Sequence, residues 1–239
     1  MRLAVLIAVA AGLALPAAAG ARAKVDVMVV GKSALLAGPQ RVALKPRTAR
    51  VGGRRCALGS RTPLSALAGT SVSFRLRDYG ACSLRARDAG SLYVAKIGPD
   101  REIGADGWVY KVGNRAGSGG AADPSGSFGT GRLLRDGQRV LWFWCVKDAS
   151  DACQRTLAIT PARSTSAPGA PLRVAVRGYD DNGAGVAVAG ATVTLAGASA
   201  VSGPDGVATL PAPAYAGRYR VRAERAGMVA AFPARVAVA

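Results

Sequence analysis

The chain has 239 residues and a formal net charge of +18, from 32 Lys/Arg against 14 Asp/Glu, and it contains no histidine. That absence removes a Ser-His-Asp triad, a Cys-His pair and every histidine-ligated metal site from consideration. Aromatic residues are only 5% of the chain, yet all three tryptophans fall in two short segments, which marks a single aromatic centre.

Residues 1–19 carry Arg2, an apolar run over 3–15, and Pro16-Ala17-Ala18-Ala19 ahead of Gly20. This is the layout of a cleaved signal peptide, with a run shorter than the ~20 residues that span a bilayer. No cysteine lies near the cleavage region and no later segment is long and apolar enough to cross a membrane. A secreted or envelope-held protein without a transmembrane segment is expected. Segment 20–61 follows with ten Lys/Arg against Asp26 alone; Arg41, Lys45, Arg47, Arg50, Arg54, Arg55 and Arg61 make up most of the excess. One reading is contact with an anionic envelope polymer or lipid head groups. The other is compositional, since Arg outnumbers Lys in a chain dominated by Ala, Gly and Val. No nucleic-acid partner is expected, because no aromatic residues interleave with these cations to stack bases.

Within that segment, 24–30 reads as a strand with Val25, Val27 and Val29 on one face. Thr62-Pro63 opens a short helix that Gly69 should close, with Leu64 and Leu67 facing inward. Residues 72–77 and 91–97 alternate as strands, and so do 107–112 and 139–146. By alternation Trp108 and Tyr110 share a face, as do Val140, Trp142 and Trp144; Leu141, Phe143 and Cys145 make the opposite face of the second strand apolar too. The sum is an α+β unit, one short helix on a mostly antiparallel sheet.

The four cysteines, Cys56, Cys82, Cys145 and Cys153, suit an oxidising destination. Three pairings exist. Cys145 and Cys153 flank a polar turn that can fold back, which leaves Cys56 for Cys82. Zinc is excluded by the lack of CxxC and histidine.

The opening strand, the short helix, Leu92-Tyr93-Val94…Ile97, Gly107-Trp108-Val109-Tyr110 and Leu134…Asp136-Gly137…Val140-Leu141-Trp142 together resemble the transcobalamin-like C-terminal domain family over about residues 24–147. Gly113-Asn114 stands where that family usually has Asn-Gly, and Gln138 where an acid is common. The cobalamin carriers pair this domain with a helical barrel that this chain lacks, so no cofactor is expected.

Ser164 to Gly169 has the composition of a linker. Beyond it, strand-like runs at 171–177, 191–195, 206–210, 217–223 and 235–238 are punctuated by Gly, Asp and Pro, the pattern of a β-sandwich. Gly190-Ala191-Thr192-Val193-Thr194-Leu195, Pro204-Asp205-Gly206-Val207 and Gly217-Arg218-Tyr219-Arg220-Val221 resemble bacterial Ig-like and carboxypeptidase-regulatory-like modules, both non-catalytic. The expected layout is a signal peptide at 1–19, a transcobalamin-like domain at 20–163, a linker at 164–170 and an Ig-like β-sandwich at 171–239, mainly β throughout.

Gly117-Ser118-Gly119-Gly120 lacks the following Gly-Lys-Ser/Thr of a phosphate loop, and Asp180-Asp181-Asn182 offers too few oxygens for calcium. No nucleophile–base pair is visible, so a non-enzyme is expected. Trp108, Tyr110, Trp142 and Trp144 are either core or an aromatic platform for a ligand with Asn114 at its rim. The functional expectation is a binding or adhesion module for a surface polymer or a small amphipathic ligand. The alternative is a structural envelope component, with the sandwich as spacer and the basic segment as electrostatic tether.

Overall fold

Nineteen strands, one short α-helix and one 3-10 turn (Ala86–Ala89) form the regular structure of the described residues, 23–239, in a computed structural model. The fold is mainly β, as expected; the signal segment at 1–19 lies outside the described residues. The first half contains β1 (Lys24–Val30), β2 (Leu35–Ala43), β3 (Arg47–Val51), β4 (Arg54–Leu58), α1 (Pro63–Leu67), β5 (Phe74–Asp78), β6 (Leu92–Ile97), β7 (Asp100–Arg101), β8 (Gly107–Val112), β9 (Arg115–Ala116) and β10 (Arg139–Cys145). The second half contains β11 (Thr156–Pro161), β12 (Thr165–Ser166), β13 (Pro171–Tyr179), β14 (Gly185–Ala187), β15 (Thr192–Leu195), β16 (Ala198–Val201), β17 (Val207–Pro211), β18 (Gly217–Glu224) and β19 (Ala234–Val238).

The main sheet of the first half runs β2-β1-β10-β8-β9, with β1 parallel to β10 and the other pairs antiparallel. Val25, Val27 and Val29 are fully buried on the helix side, while Met28 points to the opposite face. Thr62 caps α1 through a reciprocal bond pair with Ser65, and Leu64 and Leu67 are fully buried against the sheet. The helix ends at Ala68; Gly69 matters for space instead, since a Cβ there would collide with Val42 and Arg47. Gly113 and Asn114 form the two-residue turn from β8 into β9, with φ positive at Gly113 alone. A glycine in first place suits a type II′ hairpin, which accounts for the order Gly-Asn.

The two disulfides join Cys56 to Cys82 and Cys145 to Cys153, the expected partners, with Cα separations of 5.4 and 5.2 Å. The first ties the β3–β4 hairpin to the loop after β5, and the second closes the turn that leaves β10.

The second half has two facing sheets, β11-β13-β14 with β17 alongside β13, and β12-β19-β18-β15-β16. Leu172, Val174, Val176, Val193, Leu210, Val221 and Val236 fill the space between them. One boundary is corrected. β11 pairs with β13 over six residues, so the sandwich begins at Thr156, ahead of the 164–170 segment, which itself donates β12 to the other sheet. Thr156–Pro161 is a half-buried apolar run beside a proline, and its partner strand is not visible in local sequence.

The halves share a third core. Met28, Leu141, Phe143, Cys145 and Cys153 from the first meet Val229 and, partly buried, Phe232 from the second. The apolar back face of β10 is thereby covered.

Candidate anion-binding groove

β8 and β10 bring the predicted aromatic residues together by register: Trp144 lies opposite Trp108, and Trp142 opposite Tyr110. The first pair packs edge-to-face at 5.7 Å and the second tilts at 5.4 Å. All four are buried, with Trp142 only 1% exposed, and they share the core with β1 and α1. The indole N–H of Trp108 donates to Asp100 O at 2.9 Å and the Tyr110 hydroxyl to Gly119 O at 2.8 Å. Burial pushes the Tyr110 phenol up to about 12. A Cβ on Gly117 would overlap the Tyr110 ring, so the glycine-rich loop is the lid of this core.

The five predicted site residues do not converge. Trp108, Tyr110 and Trp142 border a slot of about 190 Å³ under the glycine-rich loop. Trp144 borders a cleft of about 840 Å³ between the halves, where Lys32 Nζ sits 4.2 Å above its ring. Asn114 is exposed at the far end of β8, beside a third cavity of about 360 Å³. An open platform with Asn114 at its rim is therefore corrected to a closed core. Antiparallel pairing sets Trp108 beside Trp144 at one end of the strands and leaves Asn114 beyond the other.

The basic segment is partly consumed by the fold. Arg54 Nη2 meets the Asp78 carboxylate at 2.9 Å, and Arg61 Nε donates to Leu134 O at 2.6 Å. The backbone N–H of Cys82, joined by that of Gly80 and by Arg54, holds Asp78 below the usual carboxylate range. Arg47 folds against Gly69. Lys45, Arg50 and Arg55 are exposed, the last two directly opposite each other on the β3–β4 hairpin.

Arg41 leads to a different place. In β2-β1-β10 it stands opposite Asp26, and Asp26 in turn stands opposite Arg139. Across from this row, Arg220 of β18 and Arg235 of β19 are a directly opposed pair. Together Arg41, Arg139, Arg220 and Arg235 line a groove of about 510 Å³ between the halves, with Asp26 its lone acid and Pro39, Phe232 and Pro233 completing the lining. Arg41 is shared at 3.7 Å with both Asp26 and Asp136, and Arg139 stacks over Phe232 at 5.5 Å. Arg220 and Arg235 make no ion pair among the described residues. Like charges directly opposite on a sheet cost stability unless something neutralises them. The planar forks of Arg match oxyanions in two-pronged fashion, so the groove can hold phosphate, sulfate or carboxylate groups.

Lys111, on β8, was not singled out by the sequence. Its side chain is 0% exposed and its Nζ donates to Thr156 Oγ1, Tyr179 O and Asp180 O at 3.2, 3.0 and 2.8 Å, with Asp181 Oδ1 at 3.6 Å. Desolvation lowers its pKa, against the pull of Asp181. All of the side-chain hydrogen bonds of this first-half lysine go to the second half, so it joins the two. Its signal was a lone cation inside an apolar strand. The groove gave no such signal, since its four arginines are scattered along the chain. Among the described residues no group of three or more Cys, Asp or Glu is placed to hold a metal ion. No protein-family model matches the chain, and no curated protein is found to be similar to it.

Proposed function

We propose that the protein is an exported, non-enzymatic binding module that attaches to an anionic polymer of the cell envelope. One observation carries this reading: two arginines from each half line one groove with a single carboxylate among them. Export rests on residues 1–19 and agrees with two disulfides, which persist in oxidising compartments. In this reading the first half is a transcobalamin-like domain and the second an Ig-like module. The pairing of Gly107–Val112 with Arg139–Cys145 supports the former, and two facing antiparallel-rich sheets support the latter. A free spacer role for the second half is less well supported, because it shares a buried core with the first.

A small amphipathic ligand is the second reading, favoured by the wide cleft where Lys32 overlies Trp144. The two separate on a heparin column and in a fluorescence cell. The mature protein should be retained by heparin, and Arg220→Gln/Arg235→Gln should elute at clearly lower salt. Passage of the wild type without retention, or elution of the variant with it, overturns the polymer reading. Saturable tryptophan quenching that is insensitive to salt would instead support the small ligand.

A further inference from the structure

The groove opens onto a face whose chemistry is unusually one-sided. β18 alternates, and Val221 and Ala223 point into the sandwich while Arg218, Arg220 and Arg222 point out and are exposed. Successive outward residues on a strand lie ~6.8 Å apart. The register gives each arginine its neighbours: Ala237 beside Arg218, Arg235 beside Arg220, Thr194 beside Arg222. Ala237 and Thr194 are small, and Arg235 extends the positive charge onto the adjacent strand. Glu224, opposite Thr192, is the next outward residue and the first acid on the row. Residues 165–239 hold seven arginines against four acids. Two of those acids, Asp180 and Asp181, face Arg155 and Lys111 at the junction and cannot neutralise this face. Four of the seven arginines, 218, 220, 222 and 235, thus stand together on one sheet surface.

We infer that Arg218, Arg220 and Arg222 form a ladder for a linear polyanion whose charged groups recur at about the strand interval. The ladder ends at Glu224 and joins the groove at Arg220 and Arg235. This rests on the anion-binding reading above and adds to it that the ligand is an extended chain, gripped along its length. A single oxyanion would be served by the groove alone. A chain gains from every rung, and each cation engaged adds a further increment to the salt dependence.

The test compares heparin tetrasaccharide with dodecasaccharide on the intact mature protein, by titration at several salt concentrations. Arg218→Gln/Arg222→Gln should leave tetrasaccharide binding unchanged. It should weaken dodecasaccharide binding roughly fivefold at low salt, as expected for two exposed ionic contacts. It should also flatten the log–log salt slope by roughly 1.5. Arg220→Gln/Arg235→Gln should weaken both lengths. Circular dichroism checks that each variant is folded, and these exposed positions leave the core intact. Equal dodecasaccharide affinity for the wild type and Arg218→Gln/Arg222→Gln overturns the ladder and spares the groove. If neither length responds to Arg220→Gln/Arg235→Gln, the underlying anion-binding reading fails instead. Repeating the series with short and long polyglycerol phosphate identifies the source. Whichever polymer shows the length dependence, acidic polysaccharide or phosphodiester chain, is the class of ligand, and length dependence in neither overturns the ladder.

Discussion

Val140, Trp142 and Trp144 on one face of β10, and Leu141, Phe143 and Cys145 on the other, are all buried, but against different partners. The first face meets β1, α1 and the lid loop of its own half. The second meets Val229 and Phe232, contributed from far along the chain. β8 repeats the division, with Trp108 and Tyr110 inward, and Val109 and Lys111 toward the second half. One face is built almost wholly from large aromatic and aliphatic groups. The other admits a cation, because its partner supplies carbonyls and a carboxylate to receive one. A strand apolar on both faces requires a second layer, and the polar residue on it shows what that layer is made of.

The contrast is sharpest under truncation. Trp142→Ala and Phe143→Ala should each cost about 3–5 kcal/mol, the range for large buried aromatics. Their consequences should differ in place. Trp142→Ala empties the core of the first half but leaves the junction intact, and should lower the midpoint of the one coupled transition. Phe143→Ala weakens the junction and should split a single thermal transition into two. Calorimetry reads both, and a single, merely shifted transition for Phe143→Ala would mean that the halves are not coupled through this face.

The disulfides probe the same division at smaller cost. Cys56–Cys82 spans 26 positions and Cys145–Cys153 spans 8, worth about 3.5 and 2.5 kcal/mol in the loop-entropy account. Cys56→Ala should therefore lower the melting point of the first half further than Cys153→Ala. The smaller bridge lies in the shared core, and the Cys153 N–H donates to Asp181 at 3.0 Å. Its loss should also loosen the junction, seen as faster amide exchange at 179–182. If Cys56→Ala produces that change and Cys153→Ala does not, the bridges have been assigned to the wrong regions.

What was legible in the sequence follows from the range of the interactions. The capped helix at Thr62-Pro63, the alternating valines of β1 and the shared faces of Trp108 with Tyr110 and of Trp142 with Trp144 depend on local pattern and could be read directly. The register that sets Trp108 opposite Trp144 joins strands separated by a long loop and could not be. The need to cover Leu141 and Phe143 was also legible, but its supplier was not, since nothing near Val229 or Phe232 announces a partner. Thr156–Pro161 lay before the proline-bearing break and belongs after it, because strand pairing ignores linker composition. The basic segment was visible as a charge run, yet Arg54 and Arg61 serve folding contacts there. The groove took one cation from that run and three from elsewhere, and only the topology assembles them.

Lys111 offers the finest cut through the comparison. Lys111→Met keeps the length of the side chain and its packing near Phe143, and removes three hydrogen bonds into the second half. Relief of a desolvated charge offsets part of that loss, and Asp181 keeps the bond it accepts from the Cys153 N–H. A net cost of about 1–2 kcal/mol at neutral pH is expected. The pH dependence separates this from a packing defect. Burial sets the folded pKa of Lys111 below its ordinary value of 10.5, so between the two values the unfolded chain binds more protons than the folded one. Stability from this group is therefore lost as pH falls through the folded value, and gained as pH rises toward 10.5. Tyr110 works the other way: raised to about 12, it holds its proton in the folded state, and its contribution is lost as pH climbs from about 10 toward 12. That loss is common to wild type and Lys111→Met and cancels in their difference. The gap between them, from denaturant unfolding at a series of alkaline pH values, should widen as pH approaches 10.5. A constant gap would mean that the lysine is solvated like any surface cation and that the second half does not enclose it.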